Sequence, residues 1–163
     1  MSSRDALIVA DGLLAGEWCT KEDLAQQAAR LRNTTGVQRV RWLADNADPG
    51  GQSPGESWMR LVVTGLGYDV VTQHHVVCED RQAWLDLLVR GTLIGLEFDG
   101  HSKYTTYGPT KVVREKFRAG ELEELGYQLL SVLWQQLDRP ERLDKRLRQA
   151  GAVPARSPAL PPW

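Results

Sequence analysis

Asp86, Glu97 and Asp99 are three carboxylates set on or beside two short apolar runs, and Lys103-Tyr104 follows closely. The first run is Ala83-Trp84-Leu85-Asp86-Leu87-Leu88-Val89, ended by Arg90-Gly91. The second is Thr92-Leu93-Ile94-Gly95-Leu96-Glu97-Phe98-Asp99, ended by Gly100. Both read as strands of a buried hairpin. A link of about two residues would set Asp86 roughly across from Glu97. Side chains alternate along a strand, so Glu97 and Asp99 share one face and Phe98 points to the other. Isolated carboxylates on apolar strands are costly to bury. A divalent cation held by hard oxygen ligands relieves that cost, and an acid/base site is the other chemistry the cluster suits. The bland alternative is a set of solvated strand-end charges. Three converging carboxylates followed by a lysine speak against it.

Other elements must position this hairpin. Asp5 to Leu14 carries a helical apolar stripe. Thr20-Lys21-Glu22-Asp23 is a helix start, with Thr20 as cap and Asp23 in a variant of the capping box, and its helix runs to about Arg32. Val37 to Ala47 is a third amphipathic run, broken by Asp48-Pro49-Gly50-Gly51. Ser53 as cap, Pro54 at the first helical position and Glu56 at the third start the next helix, which extends through Gly65. A capping box alone would account for Glu56. Tyr68 to Val77 is β-rich; His74 and His75 on it point to opposite faces and read as structural. A helix from Pro109 to Leu125 ends at Gly126, Tyr127 to Leu133 is a buried strand, and a last helix opens at Asp138-Arg139-Pro140. Trp42, Trp58, Trp84 and Trp134 are core candidates. The order is three helices, then α-β-β-β-α-β-α, which predicts an α/β fold with a mixed sheet flanked by helices. The expected divisions are a helical segment over residues 1–48, an α/β domain over 49–150 and a proline-rich tail over 151–163, extended or disordered.

In this order the motifs resemble the restriction-endonuclease-like superfamily, whose signature is PD-(D/E)xK. Within it, the chain is most similar to the branch of very-short-patch-repair-like bacterial proteins. The residues that carry the likeness are Asp86, Glu97-Phe98-Asp99-Gly100 and Lys103-Tyr104. Ser53-Pro54-Gly55-Glu56-Ser57, Gln73, Arg114-Glu115-Lys116 and Leu125-Gly126-Tyr127 agree with it, and the likeness covers about residues 50–148.

The resemblance implies a restriction-endonuclease-like core and a metal-dependent DNA endonuclease. Asp86 and Glu97 would ligate Mg²⁺ or Mn²⁺, with Asp99 beside them and Glu56 completing the cluster through water. The cation would lower the pKa of a water and neutralise charge on the scissile phosphate. The superfamily pattern has lysine two residues after the acidic ligand, and this chain has Asp99 there. Lys103 is the substitute cation, which makes Asp86, Glu97, Asp99 and Lys103 the catalytic candidates. His101 is a candidate base or phosphate contact. Lys111, Arg114 and Arg118 share a helix face and could contact phosphates, or form a solvated face. The branch commonly has an acidic residue near the end of that run, where this chain has Ala119-Gly120.

Composition bounds the alternatives. The length suits one compact domain with a real core. No segment approaches a membrane span and no basic-then-apolar leader opens the chain. Cys19 and Cys78 are far apart and read as free thiols in a reducing cytoplasm. The formal net charge is −1, so any surface for double-stranded DNA must be a local basic patch. The first helices would pack on the core or form a homodimer. A different class of function stays open: an inactive nuclease fold that binds DNA or a protein partner in a defence or toxin–antitoxin setting. Asp99, Gly120 and the near-neutral charge favour that alternative.

Overall fold

The computed structural model describes residues 1–31, 35–79, 81–100 and 109–159, with the side chains of 109–116 excepted. Three helices open the chain: α1 (Ser3–Ala15), α2 (Lys21–Arg30) and α3 (Val37–Asn46). The expected cap on α2 is formed in both directions, since Thr20 Oγ1 accepts from the Asp23 amide while the Asp23 carboxylate accepts from the Thr20 amide. Lys21 then reaches across to α3. Its ammonium donates to the carbonyls of Ala44 and Ala47, satisfying the end of that helix.

The α/β part follows as α4 (Pro54–Gly65), β1 (Val70–Val77), β2 (Gln82–Val89), β3 (Ile94–Asp99), α5 (Pro109–Glu124), β4 (Gln128–Leu133), α6 (Trp134–Leu137) and α7 (Pro140–Gln149). The sheet order is β1-β2-β3-β4, antiparallel across the first two pairs and parallel between β3 and β4. The expected α/β order is therefore present, with the short helix α6 as an addition. The hairpin link is longer than a two-residue turn, spanning 90–93. Gly91 there takes a left-handed φ of +78°, and Thr92 returns its amide and hydroxyl to the Val89 carbonyl.

Both faces of the sheet are covered. Met59 and Val63 of α4 and Leu143 and Leu147 of α7 pack with Leu87, Val89, Ile94 and Leu96 in one core. On the other face Leu122 of α5 packs with Val76, Ala83, Leu85 and Leu88. Among the described residues, Tyr68 is the fully buried aromatic. The tryptophans are not: Trp84 and Trp134 are exposed, and Trp42 and Trp58 are only half-buried against the cores.

The N-terminal helices are locked to the α/β part by an ion pair. Arg60 of α4 places Nη2 at 2.9 and 2.8 Å from the two carboxylate oxygens of Asp11 on α1, and Asp11 is fully buried. Arg60 Nη1 also donates to the Asn46 carbonyl, and Asp11 Oδ1 accepts from the Asp48 amide. Arg4 of α1 adds a cation–π contact, 4.9 Å from the Trp58 ring. The proline-rich tail, through Ala159, is extended and tied down. Its amides at Ala155 and Ala159 donate to the carbonyls of Gly67, just past α4, and of Gly65, its last residue.

Candidate functional site

The expected centre is Asp86, and the strands are irregular at its level. The β1–β2 ladder pairs Thr72 with Leu87 and His74 with Leu85 but skips Gln73 and Asp86. Gln73 sits at a φ of +46°, a left-handed conformation uncommon for a residue with a Cβ. The burial pattern shows the consequence. Ala83 and Leu85 of β2 face the α5 side, whereas Leu87 and Val89, at the same parity, face the α4 side. Val76 and Val70 of β1 divide in the same way. Both strands change faces between Leu85 and Leu87, and Asp86 sits at the crossover.

The β2–β3 register pairs Leu87 with Leu96 and Leu88 with Gly95. Continued one step, it sets Asp86 opposite Glu97, as the sequence predicts. Backbone pairing stops there, and Asp86 Oδ2 accepts from the Phe98 amide at 2.7 Å. On the other side stands the first turn of α4. Gly55 lets that turn close on β3, because a Cβ there would overlap the Phe98 ring. Glu56 follows directly. The capping box is only half made: Ser53 Oγ accepts from the Glu56 amide, but Glu56 Oε2 turns to the Gln52 amide at 3.1 Å and to Gln73 Nε2 at 3.3 Å. The distorted residue of β1 thus orients the carboxylate of α4.

The electrostatics follow from this geometry. Asp86 is half-buried, and its pKa is pushed up to about 6. Burial is the largest cause, and the negative charges of Glu56 and Glu97 add to it. The Phe98 amide and Arg118 oppose it. Glu56 and Glu97 are thus near enough for their charges to act on Asp86. Asp99 lies further along β3, exposed, with its backbone paired to Leu133 of β4.

Glu97 is held by a cation of the protein itself. Arg118 of α5 forks onto both of its carboxylate oxygens, through Nη1 at 2.9 Å and through Nη2, and Nη2 donates to the Trp84 carbonyl as well. Arg118 therefore pairs with a carboxylate of the cluster in this structure, a partner that its place on a face with Lys111 and Arg114 did not indicate. Lys103 and His101 lie outside the described residues, and so do the side chains of Lys111 and Arg114. His74 and His75 behave as expected of structural residues, against the Tyr127 hydroxyl and Gln82 respectively. Sequence reasoning placed Gln73 on its strand but missed its role. A left-handed glutamine has no local signature.

The donor set of Asp86, Glu56 and Glu97 is all hard oxygen, the kind a Mg²⁺ or Mn²⁺ ion takes. Its charge is uncompensated enough to raise Asp86. Among the described residues, however, no three His, Cys, Asp or Glu side chains stand as a ready cage. The chemistry fits a divalent cation, while the arrangement is one in which Arg118 neutralises Glu97.

No helix among the described residues is long and apolar enough to cross a membrane. No family model matches the chain, and no solved structure matches it significantly. It is similar to two uncharacterised proteins from two strains of Mycobacterium tuberculosis, each 26% identical over 145 residues, a stretch that covers 87% of this chain. The chain spans about half the length of these relatives, 53% of each.

Proposed function

We propose that the chain is a restriction-endonuclease-like protein that hydrolyses phosphodiester bonds in DNA with a divalent cation. One observation carries this reading. A half-buried aspartate sits where two strands break their alternation, with glutamates of α4 and β3 near enough for their charges to act on it. A desolvated carboxylate raised by its neighbours is the electrostatic mark of a working site. The element order and the mixed sheet support the fold assignment.

Asp86, Glu56 and Glu97 would hold the cation, with Asp99 at the rim. Bound there, it would supply an acidified water and charge neutralisation at the scissile phosphate. The protein's own groups do the rest. The Phe98 amide fixes the Asp86 carboxylate, and Gln73 and the Gln52 amide fix Glu56. Arg118 holds Glu97 in place and would hand it over when a cation enters. Lys103 is the candidate for stabilising charge that develops on the phosphate.

A second reading has its own observation. Arg118 already neutralises Glu97, and this favours an inactive nuclease fold used for binding. Plasmid cleavage in Mg²⁺ and in Mn²⁺ separates the two. The expected result is cleavage by the parent and loss of about a thousandfold or more in Asp86→Asn, because the variant would lose a ligand of the cation on which the chemistry depends. A folded parent that cuts in neither metal sinks the enzyme reading.

A further inference from the structure

A cleft of about 850 Å³ opens between the end of β4 and the helices α6 and α7. Arg139, Arg142, Lys145 and Arg146 line it, against one carboxylate, Asp138. Arg142, Lys145 and Arg146 fall at i, i+3 and i+4 on α7, so they project from one face of the helix. None of the four makes an ion pair among the described residues. Of the two carboxylates in α7, Asp144 is engaged away from them, by Arg148 Nε at 2.8 Å and the Tyr68 hydroxyl at 2.7 Å, and Glu141 is exposed in the first turn and does not line the cleft. Arg146 is anchored, because Nη2 donates to the Ser131 carbonyl at 3.1 Å. Its Nη1 is buried and has no hydrogen-bond partner. Such an unpaired buried donor is uncommon, and the basic groups of the cleft that a ligand can reach are the exposed Arg139, Arg142 and Lys145.

We propose that this cleft binds the phosphate backbone of duplex nucleic acid. Guanidinium forks match phosphate oxygens, and glutamine amides from Gln135 and Gln149 at its rim suit sugar and phosphate contacts. Arg142 to Gln149 spans about 10 Å of helix axis, long enough to meet successive phosphates of one strand rather than one free anion. Position agrees. Leu133 lines the cleft and pairs with Asp99, so the basic surface begins one strand from the end of the carboxylate-bearing strand. The inference rests on the nucleic-acid reading above and gives it a surface that needs neither Lys111 nor Arg114.

The test is salt-dependent binding of a labelled duplex in EDTA, where no cutting occurs. Arg142 and Lys145 are exposed, so Arg142→Gln/Lys145→Gln should fold like the parent, which a melting curve verifies. Arg30→Gln/Arg41→Gln removes the same charge from α2 and α3 and serves as the control. The expected result is a slope of log K against log salt that flattens by about two units in the α7 variant only. An unchanged slope, an equal drop in the control, or no duplex binding by the parent overturns the proposal. So does displacement of the duplex by tripolyphosphate or polyglutamate at equal charge. Failure here is distinct from failure of the enzyme reading. Plasmid cutting with an unchanged slope leaves the nuclease and removes the surface, while a flattened slope without cutting does the reverse.

Discussion

Two arginine–carboxylate pairs do different work in this chain. Asp11–Arg60 joins α1 to α4, with side-chain exposures of 0% and 9%, and a backbone amide and a carbonyl add to its hydrogen bonds, while Arg60 Nε is buried without a partner. Glu97–Arg118 joins β3 to α5 at 27% and 22% exposure. The first pair has no route to solvent, so neither charge has an alternative partner. The second lies at an opening beside two further carboxylates. Identical chemistry becomes a fixed structural joint in one place and an exchangeable contact in the other, and burial decides which.

The largest effect should come from breaking the first pair. Asp11→Ala leaves the Arg60 charge buried without its counterion and should cost about 3–5 kcal/mol in denaturant unfolding. The N-terminal helices should lose amide-exchange protection first. Asp86→Asn should go the other way. The folded pKa lies above the ordinary carboxylate value, so the native state holds the proton more tightly. Its penalty is absent below about pH 4, grows as pH rises, and is complete above about pH 6. The variant should therefore gain up to about 2 kcal/mol at pH 8, discounted for partial solvent access, and nothing at pH 4. A gain that does not vary with pH would mean that Asp86 carries no such penalty. The smallest change should be Arg118→Ala, about 1 kcal/mol or less in metal-free buffer. Mn²⁺ should raise the melting temperature of this variant more than that of the parent, because Glu97 no longer has to release a guanidinium. If Arg118→Ala costs as much as Asp11→Ala, the contrast between the pairs collapses.

Local signals made much of the fold legible. Thr20 with Asp23, Ser53 with Pro54, Gly91 and Gly126 each mark a boundary through backbone chemistry that acts within a few residues. The apolar runs located the strands, and strand register put Asp86 opposite Glu97. What stayed hidden was non-local. Nothing near Arg118 says that α5 delivers it to Glu97. Nothing near Arg60 says that its partner is Asp11, 49 residues away. The capping-box pattern at Glu56 pointed to its own helix end, yet Gln73 competes for that carboxylate from another strand. The tryptophans misled because apolar neighbours along an element were taken for burial. Several of them cover core edges instead, as Trp134 does against the Phe98 ring at 4.7 Å.

The skipped pair at Gln73 and Asp86 also divides the hairpin mechanically. Ladder bonds run from Val70 to Thr72 on one side and from His74 to Val77 on the other. The two blocks are fastened to different layers, the first to α4 and α7 and the second to α5. A bending or breathing motion would therefore concentrate at the gap, as a hinge between two stiff plates. Relaxation-dispersion NMR should find millisecond exchange centred on Gln73, Asp86 and Phe98, with quiet amides on either side.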